Sequence, residues 1–151
     1  MQEEMNTVTE IKINYSPQVK ILESPQIKSS NDAYNCFLNI LDHSIMNVKE
    51  ESAVLFLNQG NRVIGGYKLS TGGINRTVVD VRIILAIALK CLATGIVLAH
   101  THPSGELKPS LADIEVTQRI SSAAKLMDIL LLDHLIVSAE SYLSFAESGI
   151  L

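Results

Sequence analysis

The stretch IILAIALKCLATGIVLAHTHPSG, residues 83 to 105, constrains the fold more than any other part of the chain. A membrane span needs about 20 apolar residues with few or no charges. Lys90 stands in the middle of this run and Gly95 follows it, so the run divides into two shorter pieces. The first lies in VRIILAIALKCLA, with Asp80 ahead of it as a helix-start residue. The second, GIVLAH at 95 to 100, is nearly all apolar and of strand length, which predicts a central strand buried on both faces. A helix beside a doubly buried strand needs covering layers on both sides of a sheet, so the chain reads as α/β, a mixed central sheet with helices packed on it.

The remaining composition agrees with an ordinary globular protein. With 151 residues, 47% hydrophobic and 19% charged, the chain is long enough to bury a core without disulfides. Cys36 and Cys91 have no CxxC spacing and lie in helically patterned segments, so they read as buried free thiols. The start, MQEEMNTVTE, lacks the basic residues and apolar run of a secretory signal, and the expected location is cytoplasmic. A net charge of -4 and the absence of any basic run argue against a protein whose main task is neutralising nucleic-acid phosphate.

Residues 1–29 read as an N-terminal arm, with IKINY (11 to 15) alternating like a half-buried strand, and residues 30–151 as the domain. Ser30 stands before NDAYNCFLNILDH, a first helix in whose capping Asn31 or Asp32 can share, and His43 closes it where a cation suits the dipole. SAVLFLN, the turn QGN and RVIGGYKLS form a hairpin signal. Gly65-Gly66 suggests a bulge, and Ser70 to Gly73 a loop. Ser110 opens a third helix, LLLDHLIVSA gives another strand, and ESYLSFAESGIL fits a turn, a short strand and a final half-turn.

At the end of GIVLAH, His100 and His102 are two residues apart and project to the same side of a strand, while Thr101 points away. Pro103, Ser104 and Gly105 turn the chain, and Asp113 falls in the first turn of the helix that Ser110 starts. Ser110-x-x-Asp113 also reads as a capping box. Yet four polar groups at the rim of one apolar strand each cost free energy unless paired, which favours a metal site. Two histidines and a carboxylate leave a fourth tetrahedral position for water, the arrangement of catalytic rather than structural zinc. The proton acceptor is Glu50 or Glu51. Pleating sends these to opposite faces, so one points at the histidines and the other reads as a solvated surface charge. His134 reads as a hydrogen-bonded histidine at a sheet end rather than a ligand, and Arg82 as part of a surface salt bridge.

His100-x-His102-Pro-Ser-Gly, then Pro109-Ser110-x-x-Asp113, with an upstream glutamate, resembles the JAB/MPN (JAMM) zinc metallopeptidase motif as found in RadC-family proteins. The likeness takes in VLFLNQGNRVIG, STGGINRTVVDVR, DIEVTQRI, LLDHLIV and SYLSFAESGIL, roughly residues 9 to 151. It implies a JAB/MPN-like layered fold, of cytidine-deaminase-like architecture, holding one Zn2+ per chain through His100, His102 and Asp113. It further implies Glu50 as the general acid/base and Ser110 as the hydrogen-bond donor to the water or oxyanion. In the family this glutamate is followed, after one free position, usually by an aromatic, and Ser52 stands there in this chain. Thr101 stands where asparagine is usual, and Val81-Arg82-Ile83 where a Pro-Arg dipeptide is common.

The function so implied is a metal-dependent hydrolase acting on a peptide or isopeptide. The alternative is a RadC-type DNA repair-associated or mobile-element-associated protein that works by binding. A zinc deaminase would need H-x-E and P-C-x-x-C, and both are missing. Longer RadC proteins carry an N-terminal helix-hairpin-helix region, and the arm here is read as a short form without it. No membrane association is expected, and an oligomer is compatible with the sequence. Direct duplex-DNA binding is expected to be weak, since it depends on clustered cations. A fluorescence anisotropy titration at physiological salt should show no submicromolar, salt-sensitive binding to duplex DNA.

Overall fold

The computed structural model describes residues 8–10, 12, 14–71 and 79–151. These contain α1 (Ser30–Ile40), β1 (Glu51–Leu57), β2 (Val63–Thr71), α2 (Val81–Lys90), β3 (Gly95–Thr101), α3 (Leu111–Lys125), β4 (Leu130–Val137) and β5 (Tyr142–Ser144). The strands form one mixed sheet in the order β2-β1-β3-β4-β5. β1 is antiparallel to both β2 and β3, β3 is parallel to β4 through the crossover helix α3, and β5 closes antiparallel on β4.

β1 and β3 are buried along their whole length because each face of the sheet is covered. Ala53, Leu55, Leu57, Val97, Ala99 and Leu135 meet Ala33, Tyr34 and Phe37 of α1 on one face. Val54, Phe56, Ile96 and Leu98 meet Ile84 and Ala88 of α2 and Ile120 and Ala124 of α3 on the other. The strand alternation therefore decides which face each polar residue near a strand end must serve. On β3, His100 continues the series of Ile96 and Leu98 toward α3, and Thr101 the series of Val97 and Ala99 toward α1.

Several local expectations shift. The cap of α1 is Ser29, one residue before Ser30, in a capping box with Asp32. His43 lies beyond the helix but returns to its end, with Nε2 2.7 Å from the carbonyl of Leu38. In the hairpin, Asn61 takes the left-handed conformation at φ 56°, and the register shifts at Ile64, between the pairs Phe56–Gly65 and Leu57–Val63, and again at Leu69, between Ser52–Ser70 and Ala53–Lys68. Gly66 serves packing instead: a Cβ there would lie 2.6 Å from Cδ1 of Ile40. Ser70 and Thr71 belong to β2 rather than to a loop, while Gly72 and Gly73 lie outside the described residues. Lys12, Asn14 and Tyr15 form no strand, and Ile11 and Ile13 lie outside the described residues. The arm is instead tied to the hairpin: the Tyr15 hydroxyl donates to the carbonyl of Ile64 at 2.6 Å, and Arg62 Nη1 donates to the carbonyls of Leu22 and Ser24.

Cys36 and Cys91 are free and half-buried rather than fully buried. Burial pushes both thiols up, which keeps them protonated and poor ligands. Arg82 makes the expected surface pair, with Nε and Nη2 reaching the two oxygens of Asp80 at 3.1 and 2.9 Å. No helix among the described residues is long and apolar enough to cross a membrane.

On the α1 face, Asp133 is buried in β4 and satisfies donors from several elements. Its Oδ2 accepts from Ser30 and Ser144 hydroxyls at 2.9 and 2.6 Å, and its Oδ1 from the amides of His134 and Ala146 at 2.8 and 3.0 Å. Asp133→Ala would strand these donors and should destabilise the protein by about 3–5 kcal/mol, since hydrogen bonds to a charged group contribute most and buried orphans cost most. The midpoint of urea unfolding reports it, and an unchanged midpoint would refute the clamp.

Candidate metal centre

The site forms where β3 leaves the sheet and α3 begins. The turn after β3 is closed by the amide of Gly105 donating to the carbonyl of His102 at 2.9 Å, with Gly105 at φ 77°, where a side chain would be strained. The chain then returns so that the first turn of α3 faces the strand end. Ser110 caps α3: its Oγ accepts from the Asp113 amide at 3.0 Å, and the Asp113 carboxylate accepts from the Ser110 amide at 2.9 Å. The capping box is therefore real, and it holds Asp113 in position over the histidines.

Nε2 of His100 and Nε2 of His102 lie 2.9 Å apart. Asp113 Oδ1 is 3.3 Å from the first and Oδ2 is 3.1 Å from the second. Glu50 completes the cluster, with ligand atoms of all four residues within 4.8 Å of one another. Two ring nitrogens this close to each other and to a carboxylate require positive charge between them, either protons or a cation. Bonds of about 2.0–2.1 Å place neighbouring atoms of a tetrahedral zinc shell about 3.3 Å apart, so the observed spacing fits a first-row divalent ion with little rearrangement. The nitrogen, nitrogen and carboxylate oxygen set is also chemically suited to it.

Electrostatics points the same way. Burial pushes the Asp113 carboxyl up, but hydrogen bonds from the protonated rings of His100 and His102, with the charge of His100, outweigh it and hold the group well below the usual carboxylate range. The bond to Asp113 raises His102 above its ordinary 6.5, against burial and with help from the Glu106 carbonyl. That carbonyl lies 2.8 Å from His102 Nδ1 and can only accept, so Nδ1 carries a hydrogen and Nε2 is the nitrogen that faces the cluster.

Glu50 and Glu51 do fall on opposite faces. Glu50 lines the pocket with the histidines, as does Ser52, which pairs in register with His100. Glu51 is not a solvated charge: it is fully buried on the α1 face, 2.8 Å from Lys68 Nζ, and accepts from the Asp42 amide at 2.8 Å. Its own amide donates to Thr101 Oγ1 at 2.9 Å, which fixes the start of β1 against the end of β3 and so presents Glu50 to the cluster. His134 is hydrogen-bonded but sits in the middle of β4, not at a sheet end, with Nε2 2.7 Å from His100 Nδ1. Its other nitrogen meets Thr117, a partner signalled in the sequence only by lying one helical turn beyond Asp113.

The cluster lies in an open pocket of about 810 Å3. Leu69, Val79, Leu111 and Val116 supply apolar wall, with Glu115 and Arg119 also lining it.

An α/β sheet with paired histidines at a central strand end and an acid on the next helix defines a JAB-type domain with a cluster that could hold a metal ion. The chain belongs to the RadC-like JAB domain family, which matches residues 27–150. It is 45% identical over 122 residues to a UPF0758 protein of Flavobacterium johnsoniae, an alignment that covers 81% of this chain and 52% of that protein. It is 47% identical over 104 residues to a UPF0758 protein of Porphyromonas gingivalis, covering 68% of this chain and 46% of the relative. UPF0758 protein YeeS of Escherichia coli K12 is 50% identical over 103 residues, covering 68% of this chain and 70% of YeeS. The chain thus spans about half the length of the first two of these relatives.

Because a cation must displace the proton from His102, metal affinity should fall as pH drops through the raised His102 value, while Asp113 stays ionised over that range. Zinc titrations against a competing chelator across neutral pH should show this, with proton release on binding. An affinity independent of pH there would contradict it.

Proposed function

We propose that this chain is a zinc-dependent hydrolase, a metallopeptidase or isopeptidase of JAMM type with one Zn2+ per chain. The observation that supports it most is the convergence of both Nε2 atoms and the Asp113 carboxylate on one point beside Glu50, in a pocket open to solvent. In this reading His100, His102 and Asp113 hold the ion. The bound ion would supply Lewis acidity, polarising a carbonyl and lowering the pKa of water toward 7.

The rest of the chemistry falls to the chain. Glu50 takes the proton of the attacking water and returns it to the leaving amine, which requires it to stand near the ion's ligands and not to be consumed as one of them. Ser110 uses its oxygen to cap α3, and its own hydrogen is available to donate to the developing oxyanion. The apolar walls beside the cluster, with Glu115 and Arg119, suit a peptide segment with mixed side chains.

Glu50→Gln keeps size and polarity but cannot accept a proton. Zinc content should persist while hydrolysis of a peptide or isopeptide substrate falls by about 10²–10⁴-fold, the usual worth of general acid–base catalysis. His102→Ala should abolish zinc content, read by elemental analysis. Unchanged metal in His102→Ala would remove the site, and full activity in Glu50→Gln would remove the assigned base. Glu51→Gln is unsuitable as a silent control, since that carboxylate is fully buried and paired with Lys68.

A further inference from the structure

Behind His100 lies a chain of buried polar groups that the proposed chemistry does not use. His100 Nδ1 is 2.7 Å from His134 Nε2, His134 Nδ1 is 2.6 Å from Thr117 Oγ1, and the Thr117 hydroxyl donates to the main-chain carbonyl of Asp113 at 2.6 Å. His134 and Thr117 are 4% and 2% exposed, so none of these contacts is shared with bulk water.

The direction of every hydrogen bond in this chain is determined from one end. A carbonyl can only accept, so the Thr117 hydrogen points at Asp113. Thr117 Oγ1 must then accept from His134, which places a hydrogen on His134 Nδ1. A neutral imidazole carries one hydrogen, which leaves a lone pair on His134 Nε2. His100 must therefore place its hydrogen on Nδ1, and its lone pair stands on Nε2, facing His102 and Asp113.

We propose that Thr117 and His134 are positioning residues that set the tautomer and ring plane of His100 for metal binding. This rests on reading the cluster as a metal centre. His102 obtains the same tautomer more simply, from the Glu106 carbonyl. Among the described residues no carbonyl takes that role for His100, and a second histidine becomes an equivalent acceptor only because Thr117 orients it. The relay closes on itself, since it begins at the Asp113 main chain and ends at the Asp113 carboxylate. Stacking of His134 on Phe145, with ring centroids 4.7 Å apart, holds the intermediate ring from its other side.

The test combines ring-nitrogen NMR on metal-free protein with zinc competition titrations on wild type, Thr117→Val, Thr117→Ser and His134→Gln. Wild type in mildly alkaline solution should show His100 and His134 both with hydrogen on Nδ1. Thr117→Val, nearly the same in volume, should let His134 exchange tautomers, mix the His100 signals and weaken zinc binding by about 10–100-fold, the usual effect of losing a group that orients a ligand. Thr117→Ser should restore both readouts, and His134→Gln should weaken zinc while leaving the His102 tautomer unchanged. A His100 hydrogen on Nε2 in wild type, or Thr117→Val matching wild type in spectra and affinity, would overturn the proposal. Wild type that binds no zinc while showing the stated tautomers would defeat the metal-centre reading and leave the positioning of His100 standing.

Discussion

Everything at the site depends on β3 being buried on both faces. A strand flanked by α1 on one side and by α2 and α3 on the other cannot leave polar groups without partners, so the residues at its end are assigned to one environment or the other by strict alternation. His100 follows Ile96 and Leu98 to the α3 side and finds His134, His102 and Asp113. Thr101 follows Ala99 to the α1 side and receives the Glu51 amide. A shift of one residue in register would exchange the two sets and leave a histidine against Ala33, Tyr34 and Phe37 of α1.

The two faces have different tasks. On the α1 side the buried carboxylates Glu51 and Asp133 hold elements together, Glu51 through the Lys68 ion pair and the Asp42 amide, Asp133 through Ser30, Ser144 and two amides. On the α3 side the acid Asp113 and the neighbouring Glu50 converge with imidazoles in an open pocket. Adjacent residues thus separate structure from chemistry: Glu51 and Thr101 hold the strands in place, and Glu50 and His100 are what they hold.

Much of this was legible in the sequence because its signals are periodic. The period of two along GIVLAHTH puts both histidines on one side, the run SAVLFLN is of strand length, and Ser110-x-x-Asp113 marks a helix start. What was not legible depends on contacts between segments distant in sequence. Glu51 looks like a surface charge until Lys68 of β2 is placed beside it, a pairing that requires the hairpin register. Thr117 is marked only by its spacing from Asp113, and His134 acquires meaning only when β4 lies parallel to β3 with α3 across both. The cap of α1 at Ser29 rather than Ser30 is a local miss. Three adjacent residues with capping ability compete there, and Asp32 selects the one whose amide it can reach.

The capping box at the start of α3 ties the cluster to the stability of the helix itself. The oxygen of Asp113 that faces His102 is also the one that accepts the Ser110 amide. Fraying of the first turn of α3 would withdraw that oxygen, so any cation that needs it favours the closed turn by mass action and by the full differential affinity between closed and frayed forms. Occupancy of the site and order at the helix start are therefore one equilibrium seen from two ends. Amide hydrogen exchange at Asp113 would slow in a protein that holds such a cation, a gauge of loading that requires no substrate.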